Sequence, residues 1–270
     1  MTKTILITGA TDGIGLEAAK ILVSQGHRVL LHGRNPQKLE AVEKSLSALS
    51  GGGVVEGYVA DLSRMADVEL LAQAVAENHA NLDVLINNAG VYKTTDTVTS
   101  DGLDVRFAVN AIAPYLLTQR LISHIPASGR VVNVSSAAQS PVSPAALMGR
   151  IQISDDFTTY AQSKLTLTMW SHHLALSLQD DGPAIIAVNP GSLLGSKMVK
   201  EAFGVAGSDI RIGAKILVRA ALTDEFAASS GKYFDNDRGQ FAAPHPDGLS
   251  PQKCQDIVQV IEGILAEIKS

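Results

Sequence analysis

The sequence predicts an α/β protein built on a doubly wound parallel sheet of about seven strands with flanking helices, a single domain over residues 1–270. Two observations predict it. Short apolar runs rich in β-branched residues alternate with amphipathic stretches almost from end to end, the pattern of repeated strand–helix–strand units with right-handed crossovers. The first of these runs also ends in a glycine-rich turn that opens into a helix-forming stretch.

In order, the predicted strands are KTILIT (3–8), RVLLH (28–32), VVEGYVA (54–60), DVLIN (83–87), RVVNV (130–134) and AIIAVN (184–189). Each is apolar on both faces, as a parallel strand covered by helices must be. Amphipathic segments near 14–25, 36–49, 65–79, 102–124 and 157–179 supply the helices, and LSGGGV (49–54) is a glycine turn between helix and strand. After about residue 190 the alternation weakens into a Gly-rich loop, a short helix near 209–222, an edge strand at GKYF and a closing helix from about 251. No Pro/Gly/Ser linker, internal repeat or low-complexity tract divides the chain, so residues 191–270 are read as a substrate loop and C-terminal lobe of the same domain.

Composition excludes several classes. With 46 % hydrophobic and 18 % charged residues the chain is an ordinary globular one. A net charge of −5, with Lys and Arg scattered, leaves no footprint for nucleic acid. The start MTKTILITGA has no signal-peptide layout, and no apolar run approaches the ~18 residues of a membrane span, so no membrane anchor is expected. Cys254 is the single cysteine and has no companions at ligand spacing; a cytoplasmic location and no metal site are expected. The sequon at Asn133 lies in an apolar strand and is discarded.

In ILITGATDGIGLEAAKIL, Gly9, Gly13 and Gly15 fall between the first strand and the first helix. Glycines there permit a tight turn and close approach of backbone to a pyrophosphate, while the helix N-terminus supplies unpaired N–H groups. The loop is therefore a dinucleotide site of the Rossmann type. After the second strand a NAD site usually carries an acid for the ribose 2′-hydroxyl. Here Gly33 is followed by Arg34, and no acid occurs before Glu40. A guanidinium suits a 2′-phosphate, so NADP(H) is favoured over NAD(H), which stays possible.

TGATDGIG, NNAG (87–90), the Asn of VNAIAPYLLT, VVNVSS, YAQSK and NPG (189–191) occur in the order found in short-chain dehydrogenases/reductases. HGRNPQKLE, VNAIAPYLLT and SGKYF (230–234) resemble the retinol-dehydrogenase-like branch of that family. The resemblance implies that the loop Gly9, Thr11, Asp12, Gly13, Ile14 and Gly15 holds the pyrophosphate and that Arg34 takes the 2′-phosphate. It puts Asp61 and Leu62 beside the adenine, and Asn87, Ala89 and Gly90 beside the ribose and nicotinamide. Pro190, Gly191 and Ser192 follow along the cofactor, with Ser135 beside it. Asn110, Ser136, Tyr160 and Lys164 become a catalytic tetrad. Two positions depart from the pattern. Asp12 stands where many NADP-dependent relatives have a base, and Gly195 stands where a Thr often meets the carboxamide, a role that Ser196 takes after a small loop shift.

Chemically, Tyr160 and Lys164 are i and i+4 and share a helix face. The ammonium and the oxidised nicotinamide would lower the phenol pKa, Lys164 would hold the ribose, and Tyr160 would exchange a proton with the substrate oxygen as hydride moves at carbon. Ser136 would orient that oxygen and Asn110 would hold a relay water. Read singly, each residue has a structural alternative, such as packing for Tyr160 or a strand-end cap for Ser136. A catalytically silent NAD(P)-binding sensor would need the loop but not the tetrad, and a nucleotide-sugar epimerase would need a larger C-terminal domain. Val91, Tyr92, Leu147, Met148, Leu193, Met198, Val199 and Phe203 suggest an apolar pocket for a small lipophilic alcohol, ketone or aldehyde. The insert 137–156 between Ser136 and Tyr160 is expected to lie over the substrate as a flap, with Pro141, Pro144 and Met148 above the carbonyl. Relatives of this kind pair through the helices near 102–124 and 157–179, which implies a homodimer or homotetramer.

Overall fold

The computed structural model describes residues 1–178 and 181–269, except for the side chains of Ala202 and Phe203. In chain order the elements are β1 (Thr4–Ile7), α1 (Gly13–Ser24), β2 (Arg28–Gly33), α2 (Pro36–Ser47), β3 (Val54–Val59), α3 (Met65–Asn78) and β4 (Val84–Asn87). α4 (Val105–Phe107), a π-helical turn (Ala108–Ile112), α5 (Ala113–Leu121) and a 3₁₀ turn (Ile122–His124) follow, then β5 (Arg130–Val134), α6 (Pro144–Leu147), α7 (Asp156–Leu178) and β6 (Ala184–Asn189). The chain closes with α8 (Lys197–Phe203), α9 (Arg211–Leu222), α10 (Asp224–Ala227), β7 (Tyr233–Asp235), β8 (Gln240–Ala242), a 3₁₀ turn (Pro246–Leu249) and α11 (Pro251–Lys269).

One eight-stranded sheet has the order β3-β2-β1-β4-β5-β6-β7-β8. All neighbours are parallel except β7 and β8. Period-two side-chain alternation divides each central strand between two cores. Leu6, Leu30, Leu85, Val131 and Ile185 face α3, α5, α7 and α11, while Ile5, Ile7, Val29, Ile86, Val132 and Val188 face α1, α2 and α9. The order reverses between β1 and β4, so their connections leave to opposite faces and a crevice opens beyond their carboxyl ends.

The structure differs from the sequence reading in four places. β8 is an eighth, antiparallel strand that was not predicted, because three residues are too few for a periodic signal. The loop after Gly191 contains α8, capped by the Ser196 hydroxyl, which accepts from the Val199 N–H at 3.2 Å. The helix expected over 102–124 is broken by the π-helical turn around Asn110. The insert also does not float over the crevice. Ser143 caps α6 and donates its N–H to Gln162 at 3.0 Å, Leu147 is 0 % exposed, and α6 packs against α11. Leu147 is thus a core residue, and its truncation should cost roughly 2–5 kcal/mol. Urea unfolding of Leu147→Ala measures this, and a loss below about 0.5 kcal/mol would mean that the insert is only loosely attached.

Candidate active site

The glycine loop is built by close contact. Gly9 and Gly13 have φ of +65° and +60°, which side-chain-bearing residues rarely adopt. A Cβ on Gly9 would lie 2.9 Å from Ala89 Cα, and one on Gly15 would lie 2.4 Å from Asn88 Nδ2. At Gly13 only Ile210 Cδ1 comes within 4 Å of such a Cβ, at 3.9 Å, so this stretch of backbone opens outward. The Asp12 carboxylate caps α1 by accepting from the Gly13 N–H at 2.8 Å, while Ile14 and Gly15 begin the helix with N–H groups that have no intrahelical acceptor. A cradle of exposed backbone at a helix N-terminus fits a pyrophosphate.

The rim beside the loop is cationic. Arg34 is exposed at the end of β2 and forms no ion pair among the described residues. Asp12, the departure noted in the sequence, does not leave a bare negative charge there. Lys38, from the first turn of α2, pairs with it at 2.7 Å, and this hydrogen bond holds the Asp12 carboxyl below its usual range. Lys38 lies in the HGRNPQKLE stretch, but its pairing with Asp12 could be found only from the fold.

The other residues assigned to the cofactor side make the following contacts within the chain. Leu62 is buried in the core, and the Asp61 carboxylate accepts from the Ser63 N–H and hydroxyl at 3.0 and 2.8 Å. The Asn87 amide lies in the sheet, donating to Thr118 Oγ1 at 3.1 Å and Asn133 Oδ1 at 2.8 Å. Its neighbour Asn88 faces the loop instead. Ala89 donates its N–H to Thr8 Oγ1 at 3.0 Å, and Gly90 leaves 3.5 Å between a would-be Cβ and Lys164 Nζ. Ser135 is 2 % exposed and bonds Thr168 Oγ1 at 2.7 Å, so it joins β5 to α7.

After β6, Pro190 and Gly191 lead into a loop tied to the β7–β8 hairpin. Ser192 donates its N–H and its hydroxyl to the Asp237 carboxylate at 2.8 and 2.6 Å. Leu193 follows with φ +50°, a strained position for a leucine, and its carbonyl accepts from the Ser208 N–H at 2.9 Å. Ser196 spends its hydroxyl on the α8 cap.

Ser136, Tyr160, Lys164 and Asn110 come together at the carboxyl ends of β4 and β5. Asp155 caps α7, accepting from the Thr158 N–H at 2.8 Å, and Asp156 pairs with buried Arg106, fixing the start of the helix that carries Tyr160. The Ser136 hydroxyl is hydrogen-bonded to Tyr160 and accepts from the Ala138 N–H at 3.1 Å. Its carbonyl is held by the Tyr233 hydroxyl and the Gln139 amide, both at 3.0 Å. Lys164 is 4 % exposed, donates to the Val134 carbonyl at 2.7 Å, and lies 5.7 Å from the Tyr160 ring centroid. Burial lowers its ammonium to about 8. Asn110 clamps Val91, accepting from its N–H at 2.8 Å and donating to its carbonyl at 2.9 Å, and donates to Ser163 Oγ at 2.9 Å.

One electrostatic expectation changes. In the chain by itself the Tyr160 phenol is raised, not lowered, because burial outweighs the hydrogen bond with Ser136. Tyr92 stacks edge-on against Tyr160 with centroids 5.1 Å apart and adds to the apolar surroundings. Of the expected pocket residues, Leu147 and Tyr92 are buried, and the Phe203 side chain lies outside the described residues. Beside Ser136 is a cleft of about 310 Å³ whose lining is largely polar, with Gln139, Tyr233, Asp235, Arg238 and His245.

Known proteins resemble this chain in sequence and fold. The family model for short chain dehydrogenases matches residues 3–204. Human retinol dehydrogenase 12 is 31 % identical over 255 residues, covering 90 % of this chain and 80 % of that protein. A solved Mycobacterium paratuberculosis protein superposes with a TM-score of 0.82 at 25 % identity, covering 97 % of this chain and 92 % of its own. A Burkholderia cenocepacia short chain dehydrogenase in complex with NADP superposes with a TM-score of 0.67 at 26 % identity, covering 86 % and 95 %. The chain therefore belongs to the short-chain dehydrogenase/reductase family, in its retinol-dehydrogenase-like branch.

Proposed function

We propose that the protein is an NADP(H)-dependent oxidoreductase that interconverts a small lipophilic alcohol and its ketone or aldehyde, with Tyr160 as the general acid and base. Its membership of a dehydrogenase family supports NAD(P)-dependent oxidoreduction as such. The observation that carries the finer reading is the convergence of Ser136, Tyr160 and Lys164 beside the glycine cradle. The bound dinucleotide supplies or accepts the hydride.

The chain's own groups handle the proton. Because the Ala138 N–H occupies an acceptor site on Ser136 Oγ, the serine hydroxyl hydrogen is free to turn toward Tyr160 or a substrate oxygen. The raised phenol keeps Tyr160 protonated at neutral pH, which suits it to donate to a carbonyl oxygen in the reducing direction. Lys164, with an ammonium lowered to about 8, gives up a proton more readily than a solvated lysine and can resupply the phenol. Asn110 has its side-chain oxygen and nitrogen engaged with Val91 and Ser163, so its side chain fixes the geometry and any water it holds is bound through the main chain.

The lipophilic substrate class draws support from the relatives named retinol dehydrogenases, and the polar cleft beside Ser136 offers room for a polar substituent. Cytoplasmic location belongs to the same proposal, supported by the single buried thiol of Cys254. So does assembly into a homodimer or homotetramer. Because α11 packs along α7, that contact would use what α11 leaves open, including Leu176, which is 52 % exposed.

Two outcomes are expected. With NADPH and a panel of ketones and aldehydes, Tyr160→Phe should lower kcat by about 10²–10⁴, as loss of a general acid does, and turnover that survives the change would overturn the mechanism. Arg34→Ala should lower kcat/KM for NADPH by about 10- to 100-fold and leave that for NADH nearly unchanged. A wild-type preference for NADH would contradict the assignment of Arg34.

A further inference from the structure

We propose that His32 is a positioning residue that holds the glycine loop in register with the turn after β3, and that the site binds its dinucleotide well only while this imidazole is neutral. The proposal rests on the reading that the crevice holds NADP(H). His32 is the fifth residue of β2 and is 3 % exposed. Its Nδ1 lies 3.1 Å from the backbone nitrogen of Gly9, and its Nε2 lies 3.0 Å from the carbonyl oxygen of Ala60.

Those two partners fix the tautomer. A backbone N–H can only donate, so Nδ1 must be the unprotonated nitrogen that accepts from Gly9. A carbonyl oxygen can only accept, so Nε2 must carry the single ring proton and donate it to Ala60. No other protonation state satisfies both contacts. The backbone of the same residue repeats the link, its carbonyl accepting from the Ala10 N–H at 2.9 Å. At Gly33, the next residue, a Cβ would lie 2.5 Å from Thr11 Cγ2, so the strand end and the loop touch directly.

One buried ring therefore spans the two segments that a dinucleotide must bridge. On one side is the first residue of the pyrophosphate loop, and on the other is Ala60, which directly precedes Asp61 and Leu62. Protonation would place a second N–H against that of Gly9. The ring has no route to water, so the loop would have to give way instead. Burial favours the neutral form and the Asp61 carboxylate opposes it. Asp61 is the charged group that acts on the ring among the described residues, while Lys38 on α2 and Asp12 in the loop are paired with each other. Because folding lowers the pKa of this group, the ring stays neutral below the ordinary histidine value, and affinity is lost only as pH falls further.

Titration of NADP⁺ by calorimetry, on the full chain between about pH 7.5 and pH 5, tests the proposal. His32→Leu, which removes the acceptor, should raise Kd at about pH 7.5 roughly tenfold. His32→Asn keeps an acceptor that cannot be charged. It should bind within about threefold of wild type at that pH and lack the wild-type loss of affinity in acid. Independently of any cofactor, the ring ¹⁵N shifts of His32 should report the neutral Nε2–H form. A wild-type chain that binds no NADP⁺ overturns the cofactor reading. Binding by His32→Leu equal to wild type, with the same acid limb, overturns the proposal alone. An Nδ1–H or doubly protonated ring at neutral pH overturns it as well.

Discussion

The candidate active crevice depends on a clamp between two adjacent strand ends. Asn88 donates its side-chain amide to the Thr8 carbonyl at 2.8 Å and the Gly9 carbonyl at 3.1 Å. The Thr8 hydroxyl returns the contact by accepting from the N–H groups of Asn88 and Ala89, each at 3.0 Å. β1 and β4 are where the sheet reverses its order, so the chains leaving them diverge to opposite faces and would otherwise leave backbone polar groups unpaired. The clamp pairs them and brings the glycine loop against the segment that leads to Gly90 and Lys164. It also explains why residue 15 must be glycine, since the amide of Asn88 fills the space a Cβ would need.

The proposed catalytic side is built on a second set of polar ties, between β5 and α7. Asn133 reaches Ser171 Oγ at 2.7 Å, Ser135 reaches Thr168 Oγ1 at 2.7 Å, and Lys164 reaches the Val134 carbonyl at 2.7 Å. A helix buried on most sides has no strong apolar stripe to set its rotation. Satisfied polar contacts at successive turns do so instead, because a rotation of the helix would leave several buried donors unpaired. Tyr160 is aimed at Ser136 by this arrangement, and Asn110 joins the same helix to the Val91 loop through Ser163 and the π-helical turn.

Much of this was legible in the sequence because the central strands are buried on both faces, while the edge strand β3 is largely exposed and shows only through its β-branched run. The six runs from KTILIT to AIIAVN became β1 to β6 with end shifts of at most a residue. The glycine loop and the i, i+4 placement of Tyr160 and Lys164 were legible for a related reason, since backbone conformation and helical spacing follow from local sequence. Asn110 and Ser136 were joined to them only through the family resemblance. What escaped it depends on partners distant in the chain. Whether Asn87 or Asn88 faces the loop depends on the pleat of β4, and the docking of the insert depends on α11, which lies about a hundred residues later. Lys38 and His32 lie within the HGRNPQKLE stretch that carried the resemblance, but their contacts appear only once α2 and β3 lie beside the loop. The phenol pKa went the other way because burial, not the nearby ammonium, dominates at Tyr160.

In the proposed function, the clamp between Asn88 and the Thr8–Gly9 backbone assembles a dinucleotide cradle. Equilibrium fluorescence titration of NADPH against wild type and Gly15→Val, with a thermal melt of each, tests it most directly. Wild type should bind saturably. The variant, whose side chain would displace Asn88, should still melt cooperatively but lose affinity by about a hundredfold or more. Equal binding by the two proteins, or none by a folded wild type, would contradict it.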